Sequence, residues 1–162
     1  MSIEENHFDH VLYEVEMYLI SFRIVPTEDA LKQLVINMCV DDRAIHLRNL
    51  AYLFNESKIS DNWHASDFIN DVSKVSLLTK DLSKRIRDCV SLSTGHLLDK
   101  RLDPSNKAET SKCYQEAHPE IIKAIKSFLD ALETDINPVA LPEWKDAVIQ
   151  KRVNVIRKHL LR

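Results

Sequence analysis

Asp42, His46 and Asn49 are the residues of this chain whose types and spacing are best suited to chemistry. They follow one another at steps of four and three residues, so a helix would place a carboxylate, an imidazole and an amide on one face. A carboxylate four residues from a histidine can hold the imidazole in one tautomer, as acid–base sites and metal sites require. The three residues therefore predict either a polar network or a site.

The helix that must position these side chains is predicted from about residue 28 to residue 55. At 100° per residue, the face that carries them is otherwise apolar and is predicted to face the core. Apolar residues on this face are Leu31, Leu34, Val35, Met38, Ile45, Tyr52 and Leu53. Each polar group buried there costs about 1–3 kcal/mol unless it is hydrogen-bonded. Arg48 lies off the face and is expected to reach solvent or an acidic neighbour such as Asp41.

A second predicted helix, over residues 76–99, offers partners for the polar face. Ser93 and His96 share its apolar side. If the two helices pack together, His46 and His96 approach each other beside Asp42, and two histidines with one carboxylate could form a divalent-metal site. Three interpretations stay open: a structural polar network, a ligand or catalytic site, and a metal site. The structural network is preferred, and no resident cofactor is expected.

The first predicted helix, over about residues 3–22, carries acidic residues on its exposed side. Glu14 is placed among these exposed residues. His10 and Glu14 could share a face with His7, but solvated polar residues are expected there rather than a metal site.

The near absence of glycine defines the fold class. The chain has 162 residues and one glycine, Gly95, where average usage gives about eleven. Hairpins and bulges of sheet proteins need glycine, so we predict an all-α fold, an antiparallel helical bundle of five or six helices. Glycine-rich phosphate loops of the Walker and Rossmann classes are excluded. The length indicates a single domain over residues 1–162.

The domain is divided into a core bundle over about residues 3–134, a linker at 135–142 and a basic helix at 143–162. Ser66 is predicted to cap a short helix over residues 67–72. Pro119 is predicted to be the first residue of the fifth helix. A polar connection over residues 103–117, with some helical character, precedes it.

The basic helix has two apolar seams. One seam consists of Trp144, Val148 and Val155, and the other of Ile149, Val153, Ile156 and Leu160. One seam is expected to meet the body, and the other is either covered within the chain or forms a homodimer. Residues 143–162 contain six Lys and Arg residues but only two acidic residues, whereas the whole chain has a net charge of −3. A solvated basic surface is preferred, and a contact with RNA or an acidic protein partner is the alternative.

The cysteines and the apolar segments predict a cytoplasmic protein. Cys39, Cys89 and Cys113 are widely spaced and odd in number, which is typical of reduced structural thiols. The acidic N-terminus does not resemble a signal peptide. No apolar run approaches about 18 residues, so no membrane contact is expected.

Three short motifs in residues 30–101 carry a resemblance to known proteins. They are His46-Leu47-Arg48-Asn49-Leu50, Ala65-Ser66-Asp67-Phe68 and Gly95-His96-Leu97-Leu98-Asp99-Lys100-Arg101. In this order they resemble a group of small uncharacterised bacterial all-helical proteins. That group is similar to HEPN-type domains, which are often RNA-cleaving toxins or nucleotide-associated modules. The resemblance implies a HEPN-like architecture.

HEPN ribonucleases share an arginine followed, after four to six residues, by a histidine. Arg152 and His159 fit this spacing, whereas Arg87 and His96 are too far apart. The resemblance implies that Arg152 would hold a phosphate and His159 would act as acid–base at the 2′-hydroxyl, usually across a dimer. The preferred function is nevertheless a non-enzymatic module that acts through protein or nucleic-acid contacts. A metal-independent endoribonuclease and a small-ligand or metal binder are the alternatives.

Overall fold

A computed structural model of the chain describes residues 7–21, 29–59, 61–94, 104–139 and 141–161. The described residues form five α-helices, and the prediction of an all-α bundle is confirmed. The helices are α1 (His7–Ser21), α2 (Asp29–Leu53), α3 (Lys80–Thr94), α4 (Pro104–Asp135) and α5 (Ala147–Leu160). Short 3₁₀ turns lie at Ala65–Asp67, Val72–Lys74 and Pro142–Lys145. Isolated bridges, and no β-strand, occur within the described ranges.

Side-chain contacts show that α1 and α2 run antiparallel. Glu14 on α1 meets His46 on α2, whereas Ser21, farther along α1, meets the earlier residue Arg43. α3 and α4 also pack together, and α5 lies against α1 and α4. This arrangement brings polar residues that are distant in sequence to the α1–α2 boundary.

The core is continuous across the bundle. α1 buries apolar residues at three- and four-residue steps, as its sequence pattern predicts. A chain of aromatic contacts links α1 to α4. The ring of Phe68 lies 5.8 Å from that of Phe8 and 6.2 Å from that of Phe128, and Phe128 lies 5.6 Å from Phe54.

In the second half of α2 the buried face is shifted from the one predicted, although Leu53 of the predicted face is buried; the side chains of Leu31, Leu34, Val35 and Met38 lie outside the described part of the chain. The fully buried residues of this half are Ala44, Leu47, Leu50 and Ala51, and Phe54, directly after the helix, is also buried. Ile45, which was predicted to face the core, is exposed. The helix has apolar residues on more than one side, and its position between α1 and α3 decides which side is buried. The polar face therefore lies along the edge of the α1–α2 interface.

The predicted start of a helix at Pro119 is wrong, because α4 runs without interruption from Pro104 to Asp135. The segment before Pro119, which was predicted to be a polar connection with some helical character, is part of the same helix from Pro104 onward. Cys113, Ala117 and Ile121 are buried at four-residue steps across the proline, while Pro119 itself is exposed. Packing of this stripe compensates for the interior proline, which costs about 3 kcal/mol.

The segment between α2 and α3 also differs from the prediction. Ser66 does not cap a helix over 67–72, because His64 caps the 3₁₀ turn in which Ser66 lies. The Asp67 carboxylate accepts a hydrogen bond from the His64 amide at 2.9 Å, which closes this turn after three residues. α3 starts at Lys80 rather than near residue 76, since the amide of Leu78 bonds to the carbonyl of Phe54 at 2.7 Å.

α5 begins after the predicted residue 143, with Asp146 as its N-cap. Ile149, Val153 and Ile156 are buried, so one of the two predicted seams meets the body. Trp144 packs on Phe8, with a ring separation of 5.9 Å. In the described part of the chain, no helix is both long enough and apolar enough to cross a membrane.

Candidate functional site

His46 is held between two carboxylates. Its Nδ1 lies 2.6 Å from Glu14 Oε2, and its Nε2 lies 3.1 Å from Asp42 Oδ1. The residue is only 5% exposed. Carboxylates accept hydrogen bonds, so an imidazole that bonds to one through each nitrogen carries a proton on both and is charged. We call this group of three residues the His46 clamp.

The electrostatics of the His46 clamp favour the imidazolium. Burial acts to lower the pKa of His46, but the hydrogen bond to Glu14 and the charge of Glu14 raise it, and Asp42 adds to this effect. The net result is a pKa above the ordinary value of 6.5. With both carboxylates ionised, the clamp carries a net charge of about −1.

The sequence predicted only one side of the His46 clamp. Asp42 and His46 are one helical turn apart on α2 and meet as expected. Glu14 was predicted to be exposed, but its side chain is only 22% exposed and forms the shorter contact with His46. Its position between Val11 and Tyr18, beside the buried stripe of α1, is the signal that could have identified it.

The remaining residues predicted for this cluster were Ser93 and His96 on the later helix and Arg48 and Asn49 on α2. The Ser93 side chain and all of His96 lie outside the part of the chain that the structure describes. Arg48 is partly exposed, off the buried face, as expected, and Asn49 lines a neighbouring cavity. Among the described residues, no three His, Cys, Asp or Glu side chains are grouped so that they could hold a metal ion.

A cavity of about 240 Å³ lies beside Glu14, between α1, the end of α2 and the loop that follows. Val11, Leu50 and Leu53 form its apolar part. Its polar and aromatic lining consists of Glu14, Asn49, Tyr52, Asp61, Asn62 and Trp63. We call it the Trp63 cavity. Among the described residues, its lining contains two carboxylates, two amides and two aromatic rings, and no lysine, arginine or histidine.

The loop wall of the Trp63 cavity contains a strained residue. Asp61 has φ of 68°, in the left-handed region that costs a non-glycine residue about 1–2 kcal/mol. Aspartate is one of the few residues that adopt this region, because its short polar side chain can bond locally. This backbone conformation places Asp61 and Trp63 together at the cavity. Neither residue was predicted from the sequence, since only the loop geometry brings them to α1 and α2.

Exposed aromatic and apolar side chains lie at the Trp63 cavity and at the His46 clamp, which share Glu14. The Trp63 ring packs 5.7 Å from the ring of His10, and Tyr13 contacts the His46 ring edge-to-face at 5.5 Å. Trp63, Tyr13 and Ile45 are all exposed, although each is a large hydrophobic residue. Such residues at one site are typical of a binding surface.

The second group of predicted site residues is on α5. The Arg152 guanidinium lies 2.9 Å from Asp9 and 2.9 Å from Glu16, and the hydrogen bond to Glu16 raises the pKa of Arg152 above its ordinary value. The basic helix thus contacts acidic residues of α1 within one chain, and the contact with RNA or an acidic protein partner stays a prediction. A phosphate held by Arg152 would have to displace two carboxylates, and the role of Arg152 and His159 stays a prediction.

No family model, no curated protein and no solved structure matches this chain. The fold and the site define an all-helical bundle with a charged histidine clamp beside an acidic and aromatic cavity. The HEPN-like resemblance stays a prediction.

Proposed function

We propose that this protein is a non-enzymatic helical module that binds a basic segment of a partner protein by receiving a lysine or arginine side chain in the Trp63 cavity. The observation that carries this proposal is the lining of the cavity by two carboxylates and an indole, with no basic side chain among the described lining residues. Protein is preferred to nucleic acid as the partner, because phosphates would meet Glu14 and Asp61 as like charges.

The charge of the site favours a cation. The His46 imidazolium neutralises only part of the charge on Glu14 and Asp42, and Asp61 adds a further carboxylate. A guanidinium or ammonium group in the cavity can therefore form charge-assisted hydrogen bonds, which are stronger than bonds between neutral groups. The side-chain amide of Asn49, which also lines the cavity, provides a neutral acceptor.

The size of the cavity favours a single side chain. Its volume of about 240 Å³ is below the range of about 300–1,000 Å³ that is typical of pockets for drug-sized ligands. A cation over the face of a tryptophan gains about 0.5–2 kcal/mol, depending on its exposure. Tyr13, which contacts the His46 ring, and Ile45, which precedes His46 on α2, are exposed outside the cavity lining. Additional apolar surface of this kind favours a polypeptide over a free amine as the ligand.

Calorimetric titration with short peptides tests the proposal. Peptides with one central lysine or arginine should bind, and the same peptides with norleucine or citrulline at that position should bind about tenfold more weakly or not at all. Asp61→Asn and Trp63→Leu should each reduce the affinity for the basic peptides by about tenfold.

Glu120→Gln provides the matched control, because Glu120 is an exposed carboxylate on α4 and does not line the cavity. Its removal changes the net charge by the same amount as Asp61→Asn and should leave the affinity unchanged. Equal losses for the two variants would mean that only the overall charge attracts the peptide. Equal binding of the neutral peptides would also contradict the proposal.

A further inference from the structure

The His46 clamp and the Trp63 cavity share one carboxylate. Glu14 lines the cavity and at the same time accepts the hydrogen bond of His46 Nδ1, at 2.6 Å. His46 is not among the described lining residues, so the carboxylate of Glu14 connects the two. A cation in the cavity and the imidazolium of His46 are therefore two positive charges beside the same carboxylate.

The groups that face His46 identify Glu14 as the one that also belongs to the cavity. Among the described residues, the titratable groups in contact with the imidazole are Glu14 and Tyr13 on α1 and Asp42 on α2. Neither Tyr13 nor Asp42 lines the cavity. Arg43, the neighbouring cation on α2, donates to the carbonyl of Ser21 instead. His46 is only 5% exposed, so solvent screens its charge weakly.

The charge of His46 determines how strongly the cavity attracts a cation. When the imidazolium loses its proton, the net charge of the His46 clamp changes from about −1 to about −2, because both carboxylates stay ionised at neutral pH. The carboxylate of Glu14 is then neutralised less, and a guanidinium or ammonium group in the cavity is held more strongly. A cation that is already bound acts in the opposite direction and disfavours the charged imidazole.

We propose that a basic side chain entering the Trp63 cavity drives the release of the His46 proton to the solvent, so that the protonation of the His46 clamp regulates the affinity of the cavity. This coupling rests on the function proposed for the cavity. One proton leaves the imidazolium, the neutral ring keeps a donor for one carboxylate, and the bound cation takes over the neutralisation of Glu14. Binding should therefore be stronger above the pH at which His46 loses its proton.

Calorimetric titrations at about pH 6 and about pH 9.5 test the coupling. The probe is an acetylated and amidated peptide with a single arginine, which stays charged over this range. The natural chain should bind it about tenfold more tightly at the higher pH, a typical size for coupled equilibria. His46→Gln has no proton to release, so its affinity should be equal at both pH values and as high as that of the natural chain at the higher pH.

His10→Gln is the matched control, because His10 is an exposed histidine whose ring packs 5.7 Å from that of Trp63. It is therefore the other histidine through which pH could act on the cavity. The pH dependence of binding should persist in this variant. Loss of the pH dependence in His10→Gln, together with its persistence in His46→Gln, would overturn the proposal.

A second measurement uses the natural chain alone and does not depend on the folding of a variant. The pKa of the His46 ring, followed by NMR with and without saturating peptide, should fall when the peptide binds. Because the coupling is reciprocal, the proton affinity of His46 should decrease by the same factor, about tenfold, as the peptide affinity increases with pH. Absence of binding at both pH values would contradict the proposed function and the coupling together. Binding that is equally tight at both pH values, or a His46 pKa unchanged by the peptide, would leave the proposed function standing and overturn the coupling alone.

Discussion

Replacing His46 by glutamine should destabilise the fold, and by an amount that depends on pH. Glutamine retains hydrogen-bonding capacity but cannot become charged. Glu14 and Asp42 would then face each other without the cation between them. The variant therefore tests whether the imidazolium, rather than the shape of the side chain, stabilises the α1–α2 contact.

The exposure of the two carboxylates determines how much stability His46→Gln should lose. The Asp42 side chain is 37% exposed, so its contact with His46 is a surface ion pair. Such a pair contributes at most about 1 kcal/mol to stability. Glu14 is 22% exposed and makes the shorter contact, and a hydrogen bond with a charged group contributes about 1.5–3 kcal/mol. The free energy of unfolding should therefore fall by about 2–3 kcal/mol, which corresponds to a decrease in Tm of roughly 4–12 °C for a chain of this length.

The pH dependence follows from the direction of the pKa shift. The pKa of His46 is raised on folding, so its stabilisation is complete below the ordinary value of 6.5 and is lost as pH rises through the folded pKa. The pKa of His118 is lowered, so its contribution is lost as pH falls below 6.5. His118 is present in both proteins. Its contribution therefore cancels when the free energy of unfolding of His46→Gln is subtracted from that of the natural chain.

Urea unfolding, followed by circular dichroism at about pH 6 and about pH 9.5, measures this difference. The loss caused by His46→Gln should be largest at the lower pH and should shrink at the higher pH. His10→Gln is the control, because His10 is an exposed histidine of α1 outside the clamp. An equal loss at both pH values, or no loss at all, would refute the assignment of a charged His46.

Further predictions concern α5 and the thiols. Arg152→Ala should lower the stability by about 1–2 kcal/mol, because it removes the ion pair between α5 and Glu16. The calorimetric affinity for basic peptides should stay unchanged. A changed affinity would show that α5 and the Trp63 cavity are coupled. Cys89 and Cys113 should react slowly with dithionitrobenzoate at about pH 8 until urea unfolds the chain, because both thiols are buried. Burial and the neighbouring Cys113 raise the pKa of Cys89 to about 12. Rapid reaction of the folded protein would be incompatible with this burial. If Arg152 and His159 cleave RNA, their joint replacement by alanine should abolish cleavage of mixed RNA, and cleavage that survives would exclude this pair.

The fold class was predictable because it depends on local properties. A chain of 162 residues with one glycine has few means of making hairpins, and α1 shows a regular apolar stripe. The continuity of α4 was not predictable, because the buried residues on both sides of Pro119 find their partners only in α3 and the core. Local helix-breaking signals were there outweighed by tertiary packing.

The site was predictable only where it depends on one helix. The spacing of Asp42 and His46 identified that contact, since residues four apart meet on any α-helix. The contribution of Glu14 depends on how α1 and α2 align. The contribution of Trp63 depends on a loop that contains a residue with positive φ, Asp61. Neither property can be derived from helical periodicity.

The indole N–H resonance of Trp63 tests the central claim most directly. In a ¹H–¹⁵N correlation spectrum, titration with a peptide that contains a single arginine should shift this resonance with saturation. The indole of Trp144, which packs on Phe8 away from the cavity lining, should not shift. The same peptide with citrulline should leave both resonances unchanged. A shift of Trp144 alone, or an equal response of Trp63 to the citrulline peptide, would contradict the proposal that the Trp63 cavity recognises a basic side chain.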